Sequence, residues 1–154
     1  MDFIFKKLTQ TNALDIANNW KYDGIYSFYD MDADIEDYDE FVNEELRNQS
    51  DYFEAIYNGE LVGFFSVSLK KLSIEIGLGL KPDICGKGIG KEFLTQILNY
   101  IDECYTANKY IMNVATFNQR AIKVYHSLGF EDYKVVNCKS NGGIYEFLTL
   151  IKHR

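Results

Sequence analysis

Proline is almost absent from this sequence: Pro82 is the only one in 154 residues. No Pro/Gly/Ser-rich linker, internal repeat or low-complexity tract divides the chain. A single domain over residues 1–154, with one core, is therefore expected. Histidine is scarce too, with only His126 and His153, and neither is placed to be an expected catalyst. The three cysteines, Cys85, Cys104 and Cys138, are widely spaced and form no C-x-x-C pair. That pattern predicts no metal site and suits free thiols in a reducing compartment. Positive charge is in deficit: 16 Lys and Arg against 23 Asp and Glu, a formal net charge of −7. Such a balance argues against the basic face of a nucleic-acid-binding protein. No hydrophobic run approaches the length of a membrane span, and "MDFIFKKLTQ" lacks a signal-peptide pattern. A soluble cytoplasmic protein is expected, with neither nucleic acid nor membrane as partner.

What is present is apolar and periodic, with 47% hydrophobic residues. "DFIFKKL" reads as a first strand. Ala13, Ile16, Ala17 and Trp20 recur at helical spacing. Ile35, Tyr38, Phe41, Val42 and Leu46 form a second helical stripe. Asn58-Gly59 lies between two strand-like runs and predicts a hairpin turn, because Asn-Gly tolerates positive φ. "KLSIEIGLGL" reads as a further strand. Phe93, Leu94, Ile97, Leu98, Ile101 and Tyr105 mark a helix, and "KYIMNVAT" a buried strand. "NQRAIKVYHSLGF" reads as a short helix capped by Gly129. Two strands around "SNGG" close the chain. The order predicts a mixed α/β sheet with helices on both faces.

"CGKGIGK", residues 85–91, sits between a predicted strand and a predicted helix. Glycine lets backbone approach a ligand closely. The first N–H groups of a helix lack internal partners and lie at its positive end, so this loop points to a bound phosphate. Two nucleotide patterns do not fit. The P-loop requires Gly-x-x-x-x-Gly-Lys-Ser/Thr, but Gly88 stands after Lys87. The dinucleotide fingerprint requires a sixth-position glycine, and from Gly86 that position is Lys91.

"KPDICGKGIGKEFL" followed by "VATFNQRAIKVYHSLGF" resembles the GNAT superfamily of acyl-CoA-dependent N-acyltransferases. The family loop runs Arg/Gln-x-x-Gly-x-Gly/Ala. Gly88 and Gly90 match it, whereas Cys85 stands where the family has Arg or Gln. Asn118, Arg120, Ala121, Tyr125, Gly129 and Phe130 match the second signature. The resemblance implies a sheet whose two central parallel strands, "SIEIGLGL" and "YIMNVAT", splay apart like a V. It implies acetyl-CoA as cosubstrate, with its pantetheine arm against the first of these strands at Leu78 and Leu80. Gly77 and Gly79 would suit a bulge there, or simple packing against a helix. The pyrophosphate would lie on the amides of Cys85, Gly86, Lys87, Gly88, Ile89, Gly90 and Lys91. Asn118, Ala121 and Tyr125 would complete the coenzyme site.

Acetyl transfer from a thioester to an amine needs three things: a deprotonated amine, a stabilised carbonyl oxygen and a proton for the departing thiolate. An alkylamine such as lysine titrates near ~10.4, so some base must act at neutral pH. Tyr125 is the expected leaving-group acid, its other reading being a core tyrosine beside Leu128. Glu75 is the expected base, its other reading a solvated or ion-paired strand residue; a water chain is the alternative base. The Leu78 N–H is the expected oxyanion donor. A thiol just before a helix N-terminus suggests a lowered pKa for Cys85, against which stands an unreactive buried cysteine.

The acceptor side is less specified. Tyr22, Tyr26, Phe28 and Tyr29 lie where the resembled fold places its acceptor wall, and are otherwise core or lid packing. Asp30 to Glu45 is crowded with acids and holds no Lys or Arg. It reads either as an attraction for a cationic amine or as a solvated helix face. The expectation is an N-acetyltransferase acting on a primary amine of a small molecule or peptide, with a homodimer left open. A non-catalytic acyl-CoA-binding module and a protein-interaction domain are the competing classes.

Overall fold

The computed structural model describes all 154 residues. The strands are β1 (Ile4–Lys7), β2 (Asp51–Tyr57), β3 (Glu60–Lys70), β4 (Ser73–Leu80), β5 (Lys109–Ala115), β6 (Glu131–Ser140) and β7 (Gly143–His153). The helices are α1 (Gln10–Asn19), α2 (Ile35–Val42), α3 (Glu44–Arg47), α4 (Gly90–Cys104) and α5 (Gln119–Ser127). Local chemistry sets the two predicted hairpins. Asn58 and Gly59 take φ of 50° and 77°, and Asn141 and Gly142 take 51° and 76°. Paired positive φ is the turn geometry that matches strand twist, and only Asn, Asp and Gly adopt it cheaply. Gly129, at φ 91°, follows the last turn of α5 as the expected cap.

All seven strands form one sheet in the order β1-β2-β3-β4-β5-β7-β6. Every neighbouring pair is antiparallel except β4 and β5. That parallel pair is short: Ser73, Ile74 and Glu75 register with Lys109, Tyr110 and Ile111, and pairing then stops. β4 nevertheless stays paired with β3 to Leu80, and β5 with β7 to Ala115. Each strand follows its outer neighbour, so the two part and leave a V-shaped gap.

Helices cover both faces. On one, Phe93, Leu94, Ile97 and Ile101 of α4 pack with Phe65, Ile74, Ile76 and Met112, and Ile122 and Tyr125 of α5 join the same core. Each fully buried apolar side chain here contributes about 1.5–3 kcal/mol. On the other face Ala13, Ile16, Ala17 and Trp20 pack with Phe41 and Phe64. No helix is long and apolar enough to cross a membrane.

Two local expectations are corrected. The stripe from Ile35 to Leu46 is not one helix. Asn43 accepts a hydrogen bond from the Leu46 N–H and caps a new helix, α3, so the face rotates. Phe41 is buried while Ile35 and Leu46 are exposed. Nor do Gly77 and Gly79 form a bulge, because β3 and β4 pair without a register shift. These glycines make room: a Cβ at Gly79 would stand 2.5 Å from the Phe64 ring, and one at Gly77 2.8 Å from Ser66 Oγ.

Candidate active site

The gap between β4 and β5 opens into a cleft of about 600 Å³. Strand alternation settles which peptide groups face it. The Lys81 N–H donates to Val62 O of β3 at 2.9 Å. Peptide groups alternate in direction along a strand, so those of Leu80 and Leu78 point the other way, toward β5. Both residues lie beyond the last β4–β5 pair and line the cleft. The Leu80 carbonyl accepts from the Tyr22 hydroxyl at 2.7 Å. The Leu78 N–H faces the open gap.

The glycine loop forms one end of the cleft, where Cys85, Gly86, Gly88, Gly90 and Lys91 line it. Gly86 and Gly88 have φ of 75° and 78°, the region where other residues are strained. The Cys85 N–H donates back to Pro82 O, and the next N–H with a backbone acceptor is that of Phe93, bonded to Ile89 O. The amides of residues 86 to 92 therefore have no backbone acceptor. Seven free donors at the start of the 15-residue α4 fit a pyrophosphate. A Cβ at Gly88 would meet nothing within 4 Å, so the loop leaves that space open.

Helix α5 supplies the far wall. Asn118 is its N-cap: its Oδ1 accepts from the Ala121 N–H at 3.1 Å. Its Nδ2 donates to the Tyr29 hydroxyl at 3.2 Å. Asn118, Ala121, Val124 and Tyr125 all line the cleft. Tyr125 is only 7% exposed. Burial, and then the neighbouring Tyr29, raise its pKa well above the ordinary phenol value. The Tyr22 and Tyr29 phenols are raised as well, again chiefly by burial.

The structure separates the expected residues into two groups. Leu78, Leu80, Cys85, Gly86, Gly88, Gly90, Lys91, Asn118, Ala121, Tyr125, Tyr22, Tyr26 and Tyr29 converge on the cleft. Lys87, Ile89, Glu75 and Phe28 do not line it. Ile89 packs its side chain against the core, and Lys87 is exposed. Glu75 stands where β4 and β5 are still paired. Its carboxylate is held by Lys70 Nζ at 2.5 Å and by Asn113 Nδ2 at 2.7 Å. Phe28 instead meets Tyr29, Phe117, Tyr145 and Phe147 in an aromatic cluster. The lowered thiol pKa suggested for Cys85 is also corrected. Desolvation raises it, outweighing the opposing pull of Arg120. The Cys85 thiol lies 3.5 Å from the carbonyls of Leu80 and Lys81.

Four polar residues of the cleft escaped sequence reasoning as site residues: Asn113, Arg120, Lys123 and Ser127. The Arg120 guanidinium lies 4.2 Å from the centre of the Tyr26 ring. Its Nη1 is 2.9 Å from where a Cβ on Gly86 would stand, so it reaches the glycine loop. Arg120 falls inside the second signature, and its place one step into a helix capped by Asn118 was the available signal. Lys91, Arg120 and Lys123 give the cleft positive charge, and no Asp, Glu or His lines it.

The sequence model of the acetyltransferase (GNAT) family matches residues 16–130. Among solved structures, the aminoglycoside acetyltransferase AAC(6')-Ib in complex with coenzyme A superposes with a TM-score of 0.77 at 16% identity, over 99% of this chain and 95% of that one. A spermidine N-acetyltransferase chimera from Vibrio cholerae and hSSAT gives 0.76 at 19% identity, covering 97% and 93%. A Salmonella typhimurium protein assigned as an acetyltransferase, solved with its cofactor acetyl-CoA, gives 0.69 at 15% identity, covering 98% and 93%. These likenesses establish the fold. No curated protein sequence matches.

Proposed function

The chain belongs to the acetyltransferase (GNAT) family, and on that premise we propose that it transfers an acetyl group from acetyl-CoA to a primary amine of a small molecule or peptide by direct attack. The observation that carries the proposal is the run of free amides from residue 86 to residue 92, in which Gly86, Gly88, Gly90 and Lys91 line the same cleft as Tyr125. Two neighbours whose names state an acceptor, an aminoglycoside acetyltransferase and a spermidine N-acetyltransferase, act on amine-bearing molecules. That supports the amine reading.

Bound acetyl-CoA supplies a thioester as the acetyl donor. The loop amides, with Lys91 and Arg120 nearby, hold the pyrophosphate. The Leu78 N–H, facing the gap, donates to the carbonyl oxygen as negative charge grows there. One such preorganised donor is worth ~2.7–4 kcal/mol. The nitrogen–carbon bond forms as the carbon–sulfur bond breaks. Tyr125 gives its proton to the leaving sulfur and regains one from solvent. Its burial keeps it protonated at neutral pH, which suits an acid. The ammonium proton must leave through water, because no carboxylate or histidine lines the cleft. Glu75 is assigned a positioning role: it holds the Asn113 amide, whose Oδ1 also accepts from Thr149 Oγ1 at 2.6 Å.

The test is free-thiol release from acetyl-CoA across a panel of amines, with products identified by mass. Amine-dependent thiol release with an N-acetylated product is the expected result. Coenzyme binding without any amine-dependent release would replace this reading with a non-catalytic acyl-CoA-binding module.

A further inference from the structure

The two edges of the sheet are not alike. At one, β1 is four residues long and offers little for another chain to pair with. At the other, β6 runs for ten residues, Glu131–Ser140, and its only strand neighbour is β7. None of its residues is buried, and none joins either core. Large apolar side chains stand in solvent here, Val135 at 54% and Ile144 of β7 at 70% exposed.

Pairing within the hairpin settles which peptide groups of β6 are free. The Glu146 carbonyl accepts from the Thr116 N–H at 3.0 Å, so residue 146 points away from β6. Its partner across the hairpin is Asn137. Opposed residues in an antiparallel pair alternate between hydrogen-bonded and non-hydrogen-bonded. The N–H and C=O of Asn137 therefore point outward, and by alternation so do those of Val135 and Lys139. A bulge between Asp132 and Lys134 precedes this stretch, and from Val135 to Lys139 the ladder runs without a shift. Its outer side is a straight, unpaired edge.

The charges of the strand decide what fits that edge. Glu131 and Lys139 stand four residues either side of Val135. Asp132 already meets His126 at 2.7 Å, whereas Glu131 and Lys139 form no ion pair in their own chain. A second β6 running antiparallel and centred on Val135 brings the acidic end of each copy beside Lys139 of the other, at two symmetric places. Val135 meets its counterpart in the middle, where the two exchange backbone hydrogen bonds and cover apolar surface. Parallel pairing would set acid against acid and lysine against lysine. We propose that β6 is the interface of a two-fold dimer of this chain, with the sheets of two copies joined edge to edge through Val135–Lys139. Such a contact uses both β6 edges, so assembly closes at two.

Sedimentation equilibrium over a range of protein concentrations tests it. Wild type is expected at twice the monomer mass, with association weakened by salt and no larger species. Val135→Pro removes an N–H that β7 does not use, so the hairpin keeps its ladder while the edge loses its central bond. It should weaken the dimer about tenfold or more. Lys139→Glu and Glu131→Lys each set like charges together and should each lose self-association. Mixed in equal amounts, these two variants should form a heterodimer, because every contact then pairs a Glu with a Lys. That rescue also shows both variants to be folded. Wild type that stays monomeric up to ~100 µM, a dimer that Val135→Pro and the charge variants leave unchanged, or charge variants that stay apart when mixed would overturn the proposal. Large polydisperse assemblies of wild type would overturn it too, since they would mean an edge that pairs without closing.

Discussion

At the scale of single residues the account rests most on Tyr125. In the proposed mechanism its hydroxyl acts on sulfur only as charge develops there, so it would contribute to turnover more than to binding. Tyr125→Phe keeps the ring that packs beside Phe130 at 6.1 Å and removes only the donor. Turnover should fall by ~10²-fold, the lower range for general acid catalysis, with the coenzyme A dissociation constant little changed. Turnover within about twofold of wild type, where chemistry limits the rate, would make this tyrosine a packing residue. The pH profile offers a second check. Because burial raises the Tyr125 pKa, the acid stays protonated where the unperturbed phenol, near ~10, would begin to ionise. Activity should therefore climb as the amine loses its proton and show no descending limb below pH ~10. The same shift has a consequence for stability. A raised folded-state pKa in an acid means that the native state holds its proton longer. Relative to the ionised forms, Tyr125 and Cys85 therefore favour folding while pH stays below their unfolded values, and stability falls as pH rises from there through their higher folded values.

At the scale of elements, the junction of the glycine loop with α4 is the sharpest case. Gly88→Asp adds strain at positive φ and places negative charge among the free amides. Acetyl-CoA should raise the melting temperature of the wild type by mass action, and this variant should lose most of that shift. Gly88→Ala serves as the control for strain, which costs about 1–2 kcal/mol at a left-handed position. An unchanged shift in Gly88→Asp would take the loop out of the coenzyme site. The loop could be read from sequence because its signal is local: glycines at alternate positions just before an apolar helical stripe. Hairpins at Asn58-Gly59 and Asn141-Gly142 were legible for the same reason. The break at Asn43 was not, since Asn is compatible with a helix interior until its side chain is seen capping Leu46. Gly77 and Gly79 carried a signal of close approach, but only the cross-strand partners Ser66 and Phe64 decide between a bulge and a packing gap.

At the scale of the whole molecule, the site is a consequence of how the sheet is paired. Each central strand keeps an antiparallel partner on its outer side for longer than it keeps the other, and the cleft is the space left between them. The order of elements made the mixed sheet with helices on both faces legible. The splay followed only from family resemblance, because no residue in "SIEIGLGL" or "YIMNVAT" announces where pairing ends. Long-range placement explains the other gaps. Glu75 looked available from alternation alone, yet Lys70 and Asn113 arrive from neighbouring strands to hold it. Arg120 was visible in the second signature, but its reach to Gly86 depends on the angle of α5 to the loop. The central claim is direct transfer within one cleft, with no acetyl group resting on the protein. Incubation with acetyl-CoA labelled in its acetyl group, followed by mass analysis of both protein and small molecules, tests that claim most directly. Without amine, the protein should carry no label; with an accepted amine, the label should appear on the amine nitrogen in step with thiol release. Label held covalently on Cys85 or any other residue and then passed to the amine would contradict it.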